Sequence, residues 1–254
     1  SIPLVPNQLS WWVVGASDRT IVAHFISVTA NGIYSVANKF STVFVTFYNI
    51  FNLSWTESVS LHMNDDDRDI FLTDIINTMF NLFAAVDIGC MPFVFNLMVN
   101  NLYVDAYYQI PILMIAVLFQ VIVGLYSVIY VALKKSTEIA KTSFLAAIIN
   151  ITVDLALIRF IGLYAASVST LIAYLAMALY RYFDVKRYVS VCLRKKYIFL
   201  TFIVGMITII AYYSRNTFSC AGALIIAVAY AISINWQFLM SILRQIIYKV
   251  KNTN

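Results

Sequence analysis

Charge is scarce in this sequence. Only 11% of its residues are charged while 62% are apolar, against roughly a quarter charged and under half apolar in a soluble domain. That balance excludes a water-soluble fold. Cysteine is scarce too: Cys90, Cys192 and Cys220 are odd in number and show no CxxC or His-containing metal spacing. A disulfide framework and a zinc site are thereby excluded, and the thiols read as small buried apolar groups. Catalytic signatures are missing as well. The chain has no nucleophile motif, no GxxxxGK[S/T] loop, no HExxH and no paired acidic motif outside its apolar runs, so nothing points to an enzyme, a resident metal or a cofactor. Its start lacks an initiator Met, a basic n-region and a small-residue cleavage site. The expectation is the C-terminal part of a longer protein rather than a signal peptide.

What the sequence has in abundance is apolar length. A membrane-spanning helix needs about 20 mostly apolar residues, because lipid offers no partner to backbone N–H and C=O groups. Eight segments qualify, at residues 4–25, 33–55, 75–99, 110–133, 142–163, 168–183, 197–213 and 221–243. The expected fold class is an all-α polytopic membrane protein. The net charge of +5 would suggest nucleic acid in a soluble domain, but here it marks sidedness. Arg68, Lys134, Lys135, Lys141, Arg181, Lys186, Arg187, Arg194, Lys195, Lys196, Arg244, Lys249 and Lys251 are 13 of the 17 basic residues, and all follow the even-numbered spans. These turns and the tail are expected to be cytoplasmic, and no nucleic-acid partner is expected.

One of those turns is strongly acidic. Asn64 reads as an N-cap with Asp65, Asp66 and Asp67 in a first helical turn, where the macrodipole favours anions. A solvated helix start explains the run, and a cation site there would need the fuller ligand spacing of a calcium loop. More telling are charges inside apolar runs, which cost a few kcal/mol in lipid and normally face a bundle interior or an aqueous cavity. They are Asp18, Arg19, Lys39, Asp87, Asp154 and Arg159, with Glu57 at a cytoplasmic mouth. Adjacent helical positions point about 100° apart, so Asp18 and Arg19 do not neutralise each other. Lys39 has the sign to serve Asp18, and Asp87 the sign to serve Arg19. Asp154 and Arg159 are five apart, off the spacing that pairs well on one helix. Two readings stay open for this set: helix-locking ion pairs, or a cavity lined by both signs that takes an anionic head group or a coupling cation. His24, just beyond Asp18 and Arg19 in the same run, is a further candidate for proton coupling, though a lone His near a membrane interface is more often packed or solvated.

Residues 11–39, with W-x6-D-R followed by G-I-Y-S-V-A-N-K, resemble the start of the second lobe in polysaccharide transporters. These are the O-antigen and capsule flippases of the multidrug, oligosaccharidyl-lipid and polysaccharide exporter superfamily. Residues 147–173 resemble that superfamily's eleventh and twelfth spans through Asn150, Gly162, Ala165, Ala166, Ser169 and Thr170. Three positions depart from the pattern: Asp154 replaces a second Asn, Arg159 falls where Pro is common, and Tyr164 stands where Gly is expected. The resemblance implies fourteen spans in the whole protein, of which these eight are the last. Residues 1–190 would be the second six-helix lobe; residues 191–254 would be a basic cytoplasmic loop, a terminal helix pair and a cytoplasmic tail. It implies flipping of a polyprenyl-diphosphate-linked oligosaccharide across the cytoplasmic membrane, with Arg19 and Lys39 attracting phosphate. Asp18, Asp87 and Asp154 would balance them or carry a coupling proton or sodium. Membrane lipid, a polysaccharide polymerase and its chain-length regulator are the further partners implied. The alternatives are a cation-coupled drug exporter of the same fold, a membrane polysaccharide polymerase, and a scaffold.

Overall fold

The computed structural model describes residues 4–86, 89–236, 239, 240 and 244. Nine α-helices occur among them: α1 (Leu4–Phe25), α2 (Val28–His62), α3 (Arg68–Val86), α4 (Met91–Met98), α5 (Ile110–Ala132), α6 (Ser136–Ile161), α7 (Tyr164–Val185), α8 (Lys195–Ser214) and α9 (Thr217–Ile234), with a 3-10 helix at Asn101–Tyr108 before α5. The all-α class is as expected. By length and apolarity alone, α5, α6, α8 and α9 suffice to cross a membrane. Helices α1, α2, α3 and α7 carry the polar side chains that dilute their hydropathy, and several of those groups form the buried site described below.

Local chemistry fixes the helix ends. The Ser27 hydroxyl accepts the Ala30 amide at 3.0 Å and starts α2, and the Asn216 side chain accepts the Phe218 amide at 2.9 Å to start α9. Gly162 closes α6 at φ +56°, a left-handed turn that glycine adopts freely, and α7 begins two residues later. The expected span at residues 75–99 is interrupted: α3 ends at Val86, Gly89 and Cys90 form a turn, and α4 restarts at Met91. Pro92 lies in that new first turn, where its missing N–H costs nothing. The acidic run also differs from expectation. Asp65–Asp67 form the turn after α2, and the helix starts only at Arg68. Asp69 takes the first-turn position instead, accepting Arg68 Nε at 3.0 Å and the Ser190 amide at 3.0 Å. Burial pushes the Asp69 carboxyl up, but those hydrogen bonds and the Arg68 charge outweigh it, and the group sits below its ordinary value.

The chain forms two compact units, residues 1–72 with 95–191, and residues 73–94 with 192–254. Residues 73–94 cluster with the C-terminal helices. In that second unit Asn77 Nδ2 donates to the Cys192 carbonyl at 3.0 Å, the Arg194 amide to Asn77 Oδ1 at 2.9 Å and the Thr201 hydroxyl to Asn81 Oδ1 at 3.0 Å. Cys192 itself is exposed, unlike the buried thiol expected there; Cys220 is buried and Cys90 half-buried.

The first unit holds α1, α2, α5, α6 and α7. Helix α5 is its core, packed by α2 and α7, while α6 lies between α1 and α7. Small residues Ala146, Ala147, Ala173 and Ala178 are buried together with Val14 and Met177, which lets α6 and α7 approach closely as intramembrane helices do. Gly124 of α5 meets Tyr48 of α2 so closely that an added Cβ would lie 2.7 Å from the ring atom Cε1. Large apolar side chains face outward instead, including Phe144, Phe160, Phe183, Phe199, Phe202 and Phe218. So much exposed hydrocarbon is a liability in water and an asset in lipid.

Candidate functional site

Asp18 is 2% exposed at the middle of the first unit. Its Oδ2 accepts the Tyr34 hydroxyl of α2 at 2.8 Å and the Thr170 hydroxyl of α7 at 2.6 Å, while its Oδ1 has no hydrogen-bond donor among the described residues. Helix α6 brings the second acid. Asp154 is 0% exposed, and neither of its carboxylate oxygens has a partner among the described residues; it lies within electrostatic range of Asp18. One turn earlier on the same helix, Asn150 Nδ2 donates to the hydroxyls of Ser169 at 3.2 Å and Thr170 at 3.4 Å, and its Oδ1 accepts the Ser17 hydroxyl at 3.1 Å. Ala166 and Ser169 are fully buried where α7 faces this cluster. A larger residue at either would push α7 away and open it.

The predicted charges thus divide. Asp18 and Asp154 come together inside the bundle, whereas Arg19, Lys39 and Arg159 are all exposed. Asp87 lies outside the described residues. Lys39 does not supply the counter-charge expected for Asp18: the ion pairs among the described residues are Arg68–Asp69, Lys141–Glu138, Arg187–Asp184 and Arg194–Asp74. Helical geometry explains it. The buried face of α2 runs through Tyr34, Ala37, Ser41 and Tyr48, and Lys39 stands off that line. Glu57 is exposed, in an open groove with Asn49, Asn52, Thr56 and Ser60. The deep site therefore holds two acids with amide and hydroxyl oxygens, and the exposed Arg19 acts on Asp18 only as a neighbouring charge. Hard oxygens with surplus negative charge suit a proton or a small hard cation. No cluster of three or more His, Cys, Asp or Glu side chains forms among the described residues.

A second buried charge lies nearby in sequence. Arg181 of α7 is 0% exposed, though its place in a basic run reads as a cytoplasmic turn. Its Nε and Nη2 donate to the Thr142 hydroxyl at 3.0 and 2.7 Å, Nη1 to the Val123 carbonyl at 3.0 Å and to the Ser127 hydroxyl, and Nη2 to the Ile139 carbonyl and Ser143 hydroxyl at 3.3 Å each. It ties α5, α6 and α7 together with neutral acceptors alone. Its signal in the sequence is register: Thr170, Tyr174, Met177, Arg181 and Asp184 share the buried face of α7 at helical spacing. Tyr34 carried no charge to mark it.

Among solved structures, the chain is similar to a MOP superfamily transporter from Pyrococcus furiosus, at a TM-score of 0.62 and 14% sequence identity over 95% of this chain and 69% of that one. That protein is described as having a binding pocket of reverse polarity, which suggests a different function for it. The likeness shows the fold. The shared fold is an all-α architecture. No family model and no curated protein sequence matches the chain.

Proposed function

We propose that this chain is the cation-coupled lobe of a membrane transporter that flips a polyprenyl-diphosphate-linked oligosaccharide by alternating access, without catalysing a covalent step. One observation carries the coupling: two carboxylates lie buried in one helical unit, within electrostatic range of each other, with three of their four oxygens lacking donors among the described residues. Removing a charge from water costs several kcal/mol unless something compensates it. A bound proton or sodium ion supplies that compensation, and the net charge of the cluster then depends on occupancy. Asp18, Asp154, Asn150 and Thr170 would hold the ion. Arg19 and Lys39, exposed on α1 and α2, would attract the diphosphate, with Asp87 and Arg159 as further members of the translocation path. The site of action would be the cytoplasmic membrane, with the basic tail inside and a polymerase and chain-length regulator as partners.

The test is complementation of a flippase-null strain by the full-length protein. Asp18→Asn, Asp154→Asn, Arg19→Ala and Lys39→Ala should each abolish surface polysaccharide at normal membrane levels. Unchanged polysaccharide in both Asp variants would remove the coupling role, and in both basic variants the phosphate role. The acidic sign of the buried charge favours a second reading, a cation-coupled exporter of cationic drugs. Drug sensitivity with unchanged lipid-linked sugars in the null strain would select it.

A further inference from the structure

A half-open cavity of about 180 Å³ lies between α2, α5 and α7 of the first unit. Its polar lining is Asn38, Ser41, Thr42, Gln120, Thr170 and Tyr174, with apolar residues of α2 and α5 completing the wall, and none of these is charged. Size limits what it takes. Ligand pockets usually exceed about 300 Å³, and at about 30 Å³ per water molecule this space holds on the order of six waters. An oligosaccharide or a drug does not fit; a cation with part of its hydration shell does.

The lining is arranged for such a guest. The side-chain amides of Asn38 and Gln120 make no hydrogen bond to another described residue, so their carbonyl oxygens are free to replace water around an ion. Thr170 belongs to both places, lining the cavity and donating to Asp18 Oδ2 at 2.6 Å. Its single hydroxyl proton has a second acceptor, the Ala166 carbonyl at 3.0 Å. Rotation toward Ala166 removes one of the two donors on Asp18 Oδ2, Tyr34 keeping the other, and presents a hydroxyl lone pair in its stead.

We propose that this cavity is the vestibule through which a partly hydrated monovalent cation reaches Asp18 and Asp154, with Asn38 and Gln120 stripping its water and Thr170 as the turnstile. The proposal rests on the reading of the two carboxylates as a cation site. A vestibule acts on rates in both directions and leaves the equilibrium untouched, whereas a ligand of the bound ion changes the equilibrium.

The experiment follows sodium binding to the purified full-length protein by stopped-flow tryptophan fluorescence, with Trp11, whose ring lies 5.4 Å from that of Tyr174, as the reporter; the absence of any sodium-dependent signal would overturn the proposal. Gln120→Leu should slow association and dissociation together by about tenfold, equivalent to about 1.4 kcal/mol on the entry barrier. Gln120→Glu, which keeps a polar side chain of similar size, should speed association. Wild-type rates in both variants, or a change in affinity with no change in association rate, would overturn the vestibule. Asp154→Asn tests the site itself: it should abolish the signal, and a signal of normal amplitude in it would overturn the cation site instead.

Discussion

Arg181 and Asp154 are both fully buried in the same helical unit, and the fold treats them oppositely. The guanidinium has its donors spent on five neutral groups of α5 and α6, whereas the carboxylate has no donor among the described residues. A buried charge saturated with hydrogen bonds is structural, since any rearrangement strands its partners. One left unsatisfied weakens the resting fold and is tolerated where something else comes to occupy the site. The satisfied charge sits one turn from the C-terminal end of α7, whereas the unsatisfied ones lie near Asn150 and Thr170. A single bundle thus holds a rivet and a socket.

That contrast can be broken by substitution. Arg181→Met takes a charged donor away from the Thr142, Ser127 and Ser143 hydroxyls and from two carbonyls, though each hydroxyl keeps an acceptor of its own; hydrogen bonds to a charged group are worth about 1.5–3 kcal/mol each, and the detergent-solubilised protein should lose about 3 kcal/mol or more, read as a large drop in thermal midpoint and in membrane yield. Tyr34→Phe removes one hydrogen bond to a charged group and should cost about 1.5–3 kcal/mol in the same assay. Asp154→Asn should move the other way, gaining about 1 kcal/mol by relieving a buried unpaired charge, while sodium or proton coupling disappears. If it destabilises as severely as Arg181→Met, the two charges are alike and the contrast fails. The smallest effect belongs to an acid in a turn. Asp69 has a depressed pKa, so its stabilising contribution is complete above the ordinary carboxylate value of 3.8 and is lost as the pH falls below it. Thermal midpoints of wild type and Asp69→Asn should differ slightly near neutrality and converge in acid.

Charge arithmetic found Asp18 and Asp154 from the sequence, because an ion inside an apolar run stands out whatever its neighbours are. Partner choice was not legible. The groups that satisfy Asp18 are the hydroxyls of Tyr34 and Thr170, and nothing in a count of signs distinguishes them from other tyrosines and threonines. Lys39 had the right charge and the wrong helical azimuth. Arg181 is masked for the opposite reason: amid aromatics and basic residues it reads as part of a basic turn, although the 3–4 spacing from Thr170 places it on a buried face. Eight apolar segments sufficed to place the helices, since lipid demands length and apolarity above all. The interruption of the third had its own marks in Gly89 and Pro92, which hydropathy alone averages away.

The site is stitched from segments made far apart in time. Tyr34 and Asp18 are 16 residues apart and Asn150 and Thr170 are 20, so each half forms within one helical hairpin, but Asp18 and Thr170 are separated by 152 residues. During synthesis α1 and α2 enter the bilayer with an acid whose remaining partner has not yet been translated, and long-range closures of this kind come late in assembly. A chain truncated before α7 lacks Thr170 and Ser169 and cannot form this junction, so the proposed ion binding would serve as a signature that the bundle has been completed.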